Sequence, residues 1–201
     1  AFDIIQAFVK DSDDGLKTFV ADALMAYMQV MKDSPEILSQ YLEQAFGIIN
    51  DLAKDTNMGF GGDEIRESAG KALGEFLKVM KSSPDLLLSS DYLQRAFNII
   101  QELARDDSVR VKFSAVNALG EFFELIKSSP EILSSGSELV QQAFGIIQEV
   151  AKDDNAATKY SAVNALGEFF ELIKFSPKIL SSDAGTFAEA FDIIQELAKN
   201  S

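Results

Sequence analysis

The chain has no cysteine, no histidine and no tryptophan. Without cysteine there is no disulfide and no thiol nucleophile. Without cysteine and histidine together, the usual zinc sites, haem ligation by either residue and iron–sulfur clusters are excluded. Without histidine there is no Ser-His-Asp triad, no Cys-His dyad and no imidazole general base. Basic residues are scarce too: 18 Lys and Arg stand against 32 Asp and Glu, a net charge of −14. A nucleic-acid binder must bring Lys and Arg to the phosphates, so this balance argues against nucleic acid and against anionic membrane surfaces. No run approaches the ~20 apolar residues of a membrane span. The amino terminus lacks the basic-then-apolar layout of a signal peptide. It starts on Ala1 rather than methionine, as expected of a chain that is processed, excised from a longer one, or synthetic. The lack of cysteine fits any redox compartment. What is present is 47% apolar and 25% charged over 201 residues, enough for a sizeable core.

Internal repetition decides the fold class. Ala-Phe followed one residue later by Ile-Ile recurs at Ala1, Ala45, Ala96, Ala143 and Ala190, in steps of 44, 51, 47 and 47 residues. A second marker, Ala-Leu, recurs at Ala23, Ala72, Ala118 and Ala165, and the last three continue as Gly-Glu-Phe. Ser-Pro follows at Pro35, Pro84, Pro130 and Pro177, 12 residues after that alanine. Each unit therefore reads as an A segment, an acidic turn, a B segment and a Ser-Pro break. In the A segment Leu93, Ala96, Phe97, Ile99, Ile100, Leu103 and Ala104 step by three and four, the period of an amphipathic helix. In the B segment Phe113, Val116, Leu119, Phe122, Phe123 and Ile126 predict one wide apolar face, with Asn117, Glu121 and Glu124 opposite. Ser129 before Pro130 predicts an N-cap, with proline at the first helical position. The residue before a proline disfavours the helical region, so each B helix should end there. The run after Pro130 is expected to make one turn before the next A helix. An amphipathic hairpin of this size cannot bury its own apolar face, and stacked neighbours can.

The expected fold is all-α: a right-handed α-solenoid of about four and a half helix-pair repeats and about nine main helices. The expected units are residues 1–36, 37–85, 86–131 and 132–178, with a final unpaired helix over 184–201, all within one array.

The pattern resembles HEAT repeats, with some likeness to armadillo repeats. It is carried by Leu103-Ala104-Arg105-Asp106-Asp107-Ser108-Val109-Arg110, then Ala115, then Ala118-Leu119-Gly120. The likeness covers essentially the whole chain. It speaks to architecture and hardly to activity, since such proteins are mostly scaffolds that hold partner proteins. The resemblance also implies a ladder of charges between neighbouring units. Its acids would be Asp11, Asp55, Asp106 and Asp153, ten residues after each Ala-Phe alanine, and its bases Lys17, Arg66, Lys112 and Lys159. The second unit departs from the pattern by an insertion at Asn57-Met58-Gly59-Phe60-Gly61-Gly62.

Candidate chemistry is thin. The Gly-rich insertion lacks both the preceding strand and the following Lys-Ser/Thr of a P-loop. Asp11-Ser12-Asp13-Asp14-Gly15 misses the calcium-loop register, with Leu16 and Asp22 where Gly and Glu are required. Glu121 with Glu168, or Glu124 with Glu171, would pair as acid–base carboxylates only in a dry pocket, and a regular helix stripe does not predict one. Phe76, Phe122, Phe123, Phe169 and Phe170 repeat with the unit and are expected in the core. No catalytic residue, cofactor or metal ion is expected.

The resemblance places the B helices on the concave face. That face would present Asp22 and Gln29, then Lys71, Glu75 and Lys78, then Asn117, Glu121 and Glu124, then Asn164, Glu168 and Glu171. Asn can bond a peptide backbone and Glu can pair with Lys or Arg. The residues leave two readings open: a solvated stripe, or a partner-binding face for a basic extended peptide. A non-enzymatic protein-interaction scaffold is the first functional expectation. The alternative is a structural, self-assembling protein with end-to-end contacts forming a homo-oligomer, since the terminal helices are as apolar as internal ones. Ser114–Lys127 is identical to Ser161–Lys174, so recent duplication and consensus design with no natural ligand both remain open.

Overall fold

The computed structural model describes residues 2–10, 13–32, 34–56, 61–83, 86, 91–175 and 191–195. Among these residues every regular element is a helix. They run α1 (Phe2–Val9), α2 (Asp14–Met31), α3 (Pro35–Ala53), α4 (Gly62–Met80), α5 (Tyr92–Ala104), α6 (Val109–Ser128), α7 (Pro130–Ala151) and α8 (Ala156–Phe175). Residues 191–195 are helical as well. Odd-numbered helices are the A segments and even-numbered helices the B segments. Consecutive helices pack on one another, as a helical-repeat solenoid requires.

The turns follow from short polar side chains. Asp13 Oδ1 accepts the amides of Gly15 and Leu16 at 2.9 and 3.2 Å and so caps α2. Asn155 Oδ1 accepts the Ala157 amide at 2.8 Å at the start of α8. Asp106 and Asp153 each accept the amide two residues ahead at 2.8 Å and shape the turn. The Ser-Pro breaks behave differently from expectation. Ser34 and Ser129 precede α3 and α7 without a side-chain cap bond, and the buried Ser129 hydroxyl has no partner among the described residues. The run after Pro130 is also not a separate turn, because α7 is continuous from Pro130 to Ala151. Proline at the first position suits a helix start, and nothing after it breaks the helix. Gly61, at φ 129°, turns the chain into α4. Residues 57–60 of the insertion, Asp11, Pro84, Pro177 and all of the final helix except 191–195 lie outside the described residues.

Aromatic pairs join each A helix to its own B helix. Phe46 meets Phe76 at 5.4 Å, Phe97 meets Phe122 at 5.5 Å and Phe144 meets Phe169 at 4.9 Å between ring centroids. Phe123 reaches onward to Phe169 of the next unit, at 5.7 Å. Phe76, Phe122, Phe123 and Phe169 are buried as expected, and Phe170 is half-buried. Phe113 departs from expectation. It is 38% exposed, on the open side of the B layer, because the core stripe of α6 is narrower than its apolar composition.

Two features tie one unit to the next. The first is the charge ladder. Lys17 pairs with Asp55, Arg66 with Asp106 and Lys112 with Asp153, each at 2.6 Å and each mostly shielded from solvent. The base of one unit thus meets the acid of the following one. Arg66 also donates to the Asp55 carbonyl at 3.1 Å, linking the turn of its own unit. The Asp153 carboxyl is held below the usual range, first by the Lys112 hydrogen bond and then by the Asn155 amide.

The second feature is the B layer. α4 packs against α6 more extensively than any other pair of helices meets, followed by α6 with α8 and α2 with α4. The A helices touch one another only lightly. An array whose B helices lie closer than its A helices bends toward the B side. Small residues allow the approach. A Cβ on Gly70 would lie 2.3 Å from Ser114 Oγ and 2.9 Å from Ser114 Cβ, so no side chain fits there.

Gly70→Ala should therefore push α4 and α6 apart, although alanine is the better helix former. The expected cost is about 2 kcal/mol, typical of overpacking a tight contact. Urea denaturation measures it, and a neutral or stabilising effect would show that the helices are not held this close.

Candidate functional site

Each B helix points one stripe of polar side chains away from the core. Lys71, Lys78, Asn117, Asn164 and Glu171 are exposed, and Glu75, Glu121, Glu124 and Glu168 are half-buried. The close packing of α4, α6 and α8 brings these nine expected residues into one continuous surface. Two grooves run along it. The first, over the α4–α6 junction, encloses about 470 Å³ and is lined by Lys71, Glu75, Lys78, Asn117 and Glu121, with Met25, Gly70, Gly74 and Phe113. The second, over α6–α8, encloses about 350 Å³ and includes Lys78, Asn117, Glu121, Glu124, Asn164 and Glu168. Glu171 lies beside the second groove on α8, in an ion pair with Lys174 at 3.4 Å.

The stripe is not a row of separate solvated charges. A residue in one unit meets the residue one turn earlier in the next unit. Gln29 donates to Glu75, Lys78 lies 3.7 Å from Glu121, and Glu124 faces Glu168. These rungs follow one register rule with different chemistry. The first joins an amide to a carboxylate and the second an ammonium to a carboxylate. The third brings two carboxyls together. The paired acids are thus Glu124 and Glu168, not the Glu121–Glu168 or Glu124–Glu171 sets, because neighbouring helices are offset by one turn.

Surrounding lysines divide the third rung unequally. Glu124 accepts a hydrogen bond from Lys127 and lies 3.3 Å from Lys81. The Lys127 contact, before any other cause, holds the Glu124 carboxyl below its ordinary range. Glu168 is pushed above its ordinary range, first by burial and then by Glu124, with Lys127 only partly offsetting this. On the second rung, Lys78 is raised chiefly by its hydrogen bond to Glu75 at 2.7 Å. Asn117 and Asn164 make no side-chain hydrogen bond among the described residues, so both amides are open to a ligand.

No cluster of residues that could hold a metal ion occurs among the described residues. No described helix is long and apolar enough to cross a membrane. Sequence reasoning missed Met25, Glu67, Gly70, Gly74 and Phe113. Their signal was available: Met25 stands where the next three units have glycine, and Phe113 where the second unit has Glu67.

A family model described as IPO5-like, TPR repeats matches residues 77–189, more than half of the chain. The chain belongs to this family. Its steps of 44 to 51 residues are longer than the 34-residue TPR unit and nearer the ~40–47 residues of HEAT and armadillo units. The matched IPO5-like segment includes all of α6 and α8, and with them the second groove. No curated protein sequence matches the chain. Among solved structures, the crystal structure of an engineered protein from the Northeast Structural Genomics Consortium is similar, with a TM-score of 0.54 at 15% identity. The match covers 94% of this IPO5-like chain and 76% of that one, a likeness of fold.

The third rung generates a pH prediction. Glu168, with its pKa raised in the fold, contributes stability below its ordinary value of 4.5 that is lost as the pH rises through the raised value. Above that raised value both carboxyls are charged and repel. Glu168→Gln should therefore raise stability at pH 7 by about 0.5–1 kcal/mol, the scale of a partly exposed charge pair. The gain should shrink toward pH 4.5. Urea midpoints at the two pH values check this, and a pH-independent difference would contradict it.

Proposed function

We propose that this protein is a non-enzymatic interaction scaffold that holds an extended, basic peptide segment of a partner protein along its B-helix layer. Membership of a repeat family supports the scaffold reading. The peptide reading rests on one observation above the others: the third rung pairs Glu124 with Glu168, where the preceding rungs pair neutral or opposite charges. A Lys or Arg of a partner placed over this rung relieves the repulsion and pairs with Glu168, since Glu124 already meets Lys81 and Lys127. Asn117 and Asn164 flank it with both donor and acceptor groups, which suits the alternating polarity of a peptide backbone. Lys71, Glu75 and Lys78 would carry the segment across α4, and Glu121 and Glu171 would flank the basic residue. No step here requires a cofactor or a metal ion.

Fluorescence anisotropy with labelled Lys/Arg-containing peptides tests this reading. Binding should weaken with added salt, and Glu168→Lys or Glu121→Lys should each reduce affinity about tenfold, as loss or reversal of a close charge pair does. Salt-independent binding, or no binding, would overturn it.

A second reading, self-assembly, is favoured by the N-terminal end. Ile4 and Phe19 are 62% and 71% exposed, whereas their counterparts Ile48 and Ser68 are buried. With Ile5, Phe8, Leu16, Val20 and Ala23 they frame an apolar groove of about 310 Å³. In later units this face packs on another unit of the same kind, and the self-assembly reading takes a second copy of the chain as its occupant. Sedimentation should then show concentration-dependent association, abolished by Phe19→Ser, the residue of the other three units. A monomer at high concentration would overturn this second reading.

A further inference from the structure

Successive units are clamped to one another to different degrees. At the joint between the second unit (α3, α4) and the third (α5, α6), charges bridge the contact along three edges. At the turns, Arg66 meets Asp106 at 2.6 Å. On the B layer, Lys78 lies 3.7 Å from Glu121, Lys81 3.3 Å from Glu124 and Arg110 2.7 Å from Glu67. On the A side, Arg95 pairs with Glu43 at 3.0 Å and sits over the Phe46 ring at 4.6 Å, and Tyr92 donates to Glu43 at 2.6 Å. The first joint is also closed on both sides, by Phe2 stacked on Tyr41 and by Gln29 bonded to Glu75.

The joint between the third unit and the fourth (α7, α8) keeps the turn edge and loses the other two. Lys112 and Asp153 repeat the turn pair at 2.6 Å, and the buried Phe123 and Phe169 remain in contact. On the A side the counterparts of Glu43, Tyr92 and Arg95 are Gln94, Leu139 and Gln142. Gln94 turns to Asn98 and Gln142 to Glu138, each within its own helix. On the B layer the counterparts of Glu67 and Arg110 are Phe113 and Ala157, and those of Lys78 and Glu121 are Glu124 and Glu168. Lys127, the counterpart of Lys81, pairs with Glu124 of its own helix. The like-charge rung follows from the identity of Ser114–Lys127 with Ser161–Lys174: a one-turn offset between two copies of one stretch sets glutamate on glutamate. Arg105 with Glu149 at 3.5 Å, and Lys127 over the Phe175 ring at 5.8 Å, add only contacts at exposed side chains. No further ion pair crosses this joint among the described residues. The α6–α8 contact is also less extensive than the α4–α6 contact, and the A helices touch lightly at both joints.

We propose that the array flexes at the joint between the third and fourth units, and that a partner's Lys or Arg seated beside Glu124 and Glu168 closes it. The flexing stands on the chain's own contacts, and the closure rests on the basic-peptide reading above. A hinge needs a pivot that holds and edges that release. The Phe123–Phe169 contact and the Lys112–Asp153 pair hold, and the unclamped A and B edges release. With the rung empty, two carboxylates favour the open B edge. A cation that pairs with Glu168 beside Glu124 is held best when α6 and α8 are together, so its binding shifts the joint toward the closed form. The second groove, which lies over this joint, is therefore both the binding site and the element that responds to binding.

The lack of cysteine makes any introduced pair a unique site for spin labels. In the full chain, Gln40→Cys with Glu102→Cys spans the second–third joint, and Gln94→Cys with Lys152→Cys spans the third–fourth joint, all at exposed positions. Double electron–electron resonance should give a broader distance distribution for the second pair. Glu168→Gln, which restores the amide–carboxylate chemistry of the Gln29–Glu75 rung, should narrow it to the width of the first pair. A saturating Lys/Arg-containing peptide should do the same, and the first pair should not change in either case. Equal widths in the parent chain, or no narrowing in Glu168→Gln, would overturn the flexing joint. A peptide that binds by anisotropy and leaves the width unchanged would overturn closure by the partner. Failure of every such peptide to bind would overturn the basic-peptide reading and the closure with it, while the widths in the parent and in Glu168→Gln still decide the joint.

Discussion

The close contact between successive B helices sets the geometry of the rest of the array. A single helix pair has apolar surface it cannot bury, and its neighbours must cover it. Here that cover is tightest where Gly70 lies against Ser114, and the A helices remain further apart. The difference bends the array and gathers the polar stripes of α4, α6 and α8 onto one surface. The Lys17–Asp55, Arg66–Asp106 and Lys112–Asp153 pairs then lock the register at the turns. As mostly shielded pairs, they cost more to break from one side than an exposed pair would. The position of every functional candidate follows from that register.

The same register explains how an acidic chain arranges its charge. Much of the excess acid caps helices or completes cross-unit pairs. On the B layer, lysines from Lys78 to Lys127 meet most of the glutamates. The arrangement is therefore closer to a network with one defect than to a uniform acidic strip. The defect is the third rung, where Glu124 and Glu168 meet. A like-charge contact costs stability when empty and favours binding when a cation arrives. It is thus a more specific candidate than the net charge of −14, which reports on the whole surface.

The repeat markers make the fold legible in the amino-acid order alone. Ala-Phe, Ala-Leu and Ser-Pro place the helices, and the spacing of Asp and Lys/Arg implies the ladder through its family likeness. All nine stripe residues are legible too, because a helix projects residues three and four apart on one face. Three things are not. The continuity of α7 through its first turn depends on the absence of any competing cap, which the Ser-Pro pair conceals. The exposure of Phe113 depends on how far the neighbouring helix covers α6. The pairing of Glu124 with Glu168 depends on an offset of one turn between helices, and a single-helix pattern carries no information about that offset. The grooves belong to this last class, since they arise between helices.

Hydrogen–deuterium exchange of the full chain, with and without a saturating Lys/Arg-containing peptide, tests most directly whether the B layer is the binding surface. The expected result is added protection in residues 71–78, 117–124 and 164–171, with the A helices unchanged. Protection confined to the A helices or to the ends of the array, or none anywhere with peptide bound, would contradict the account.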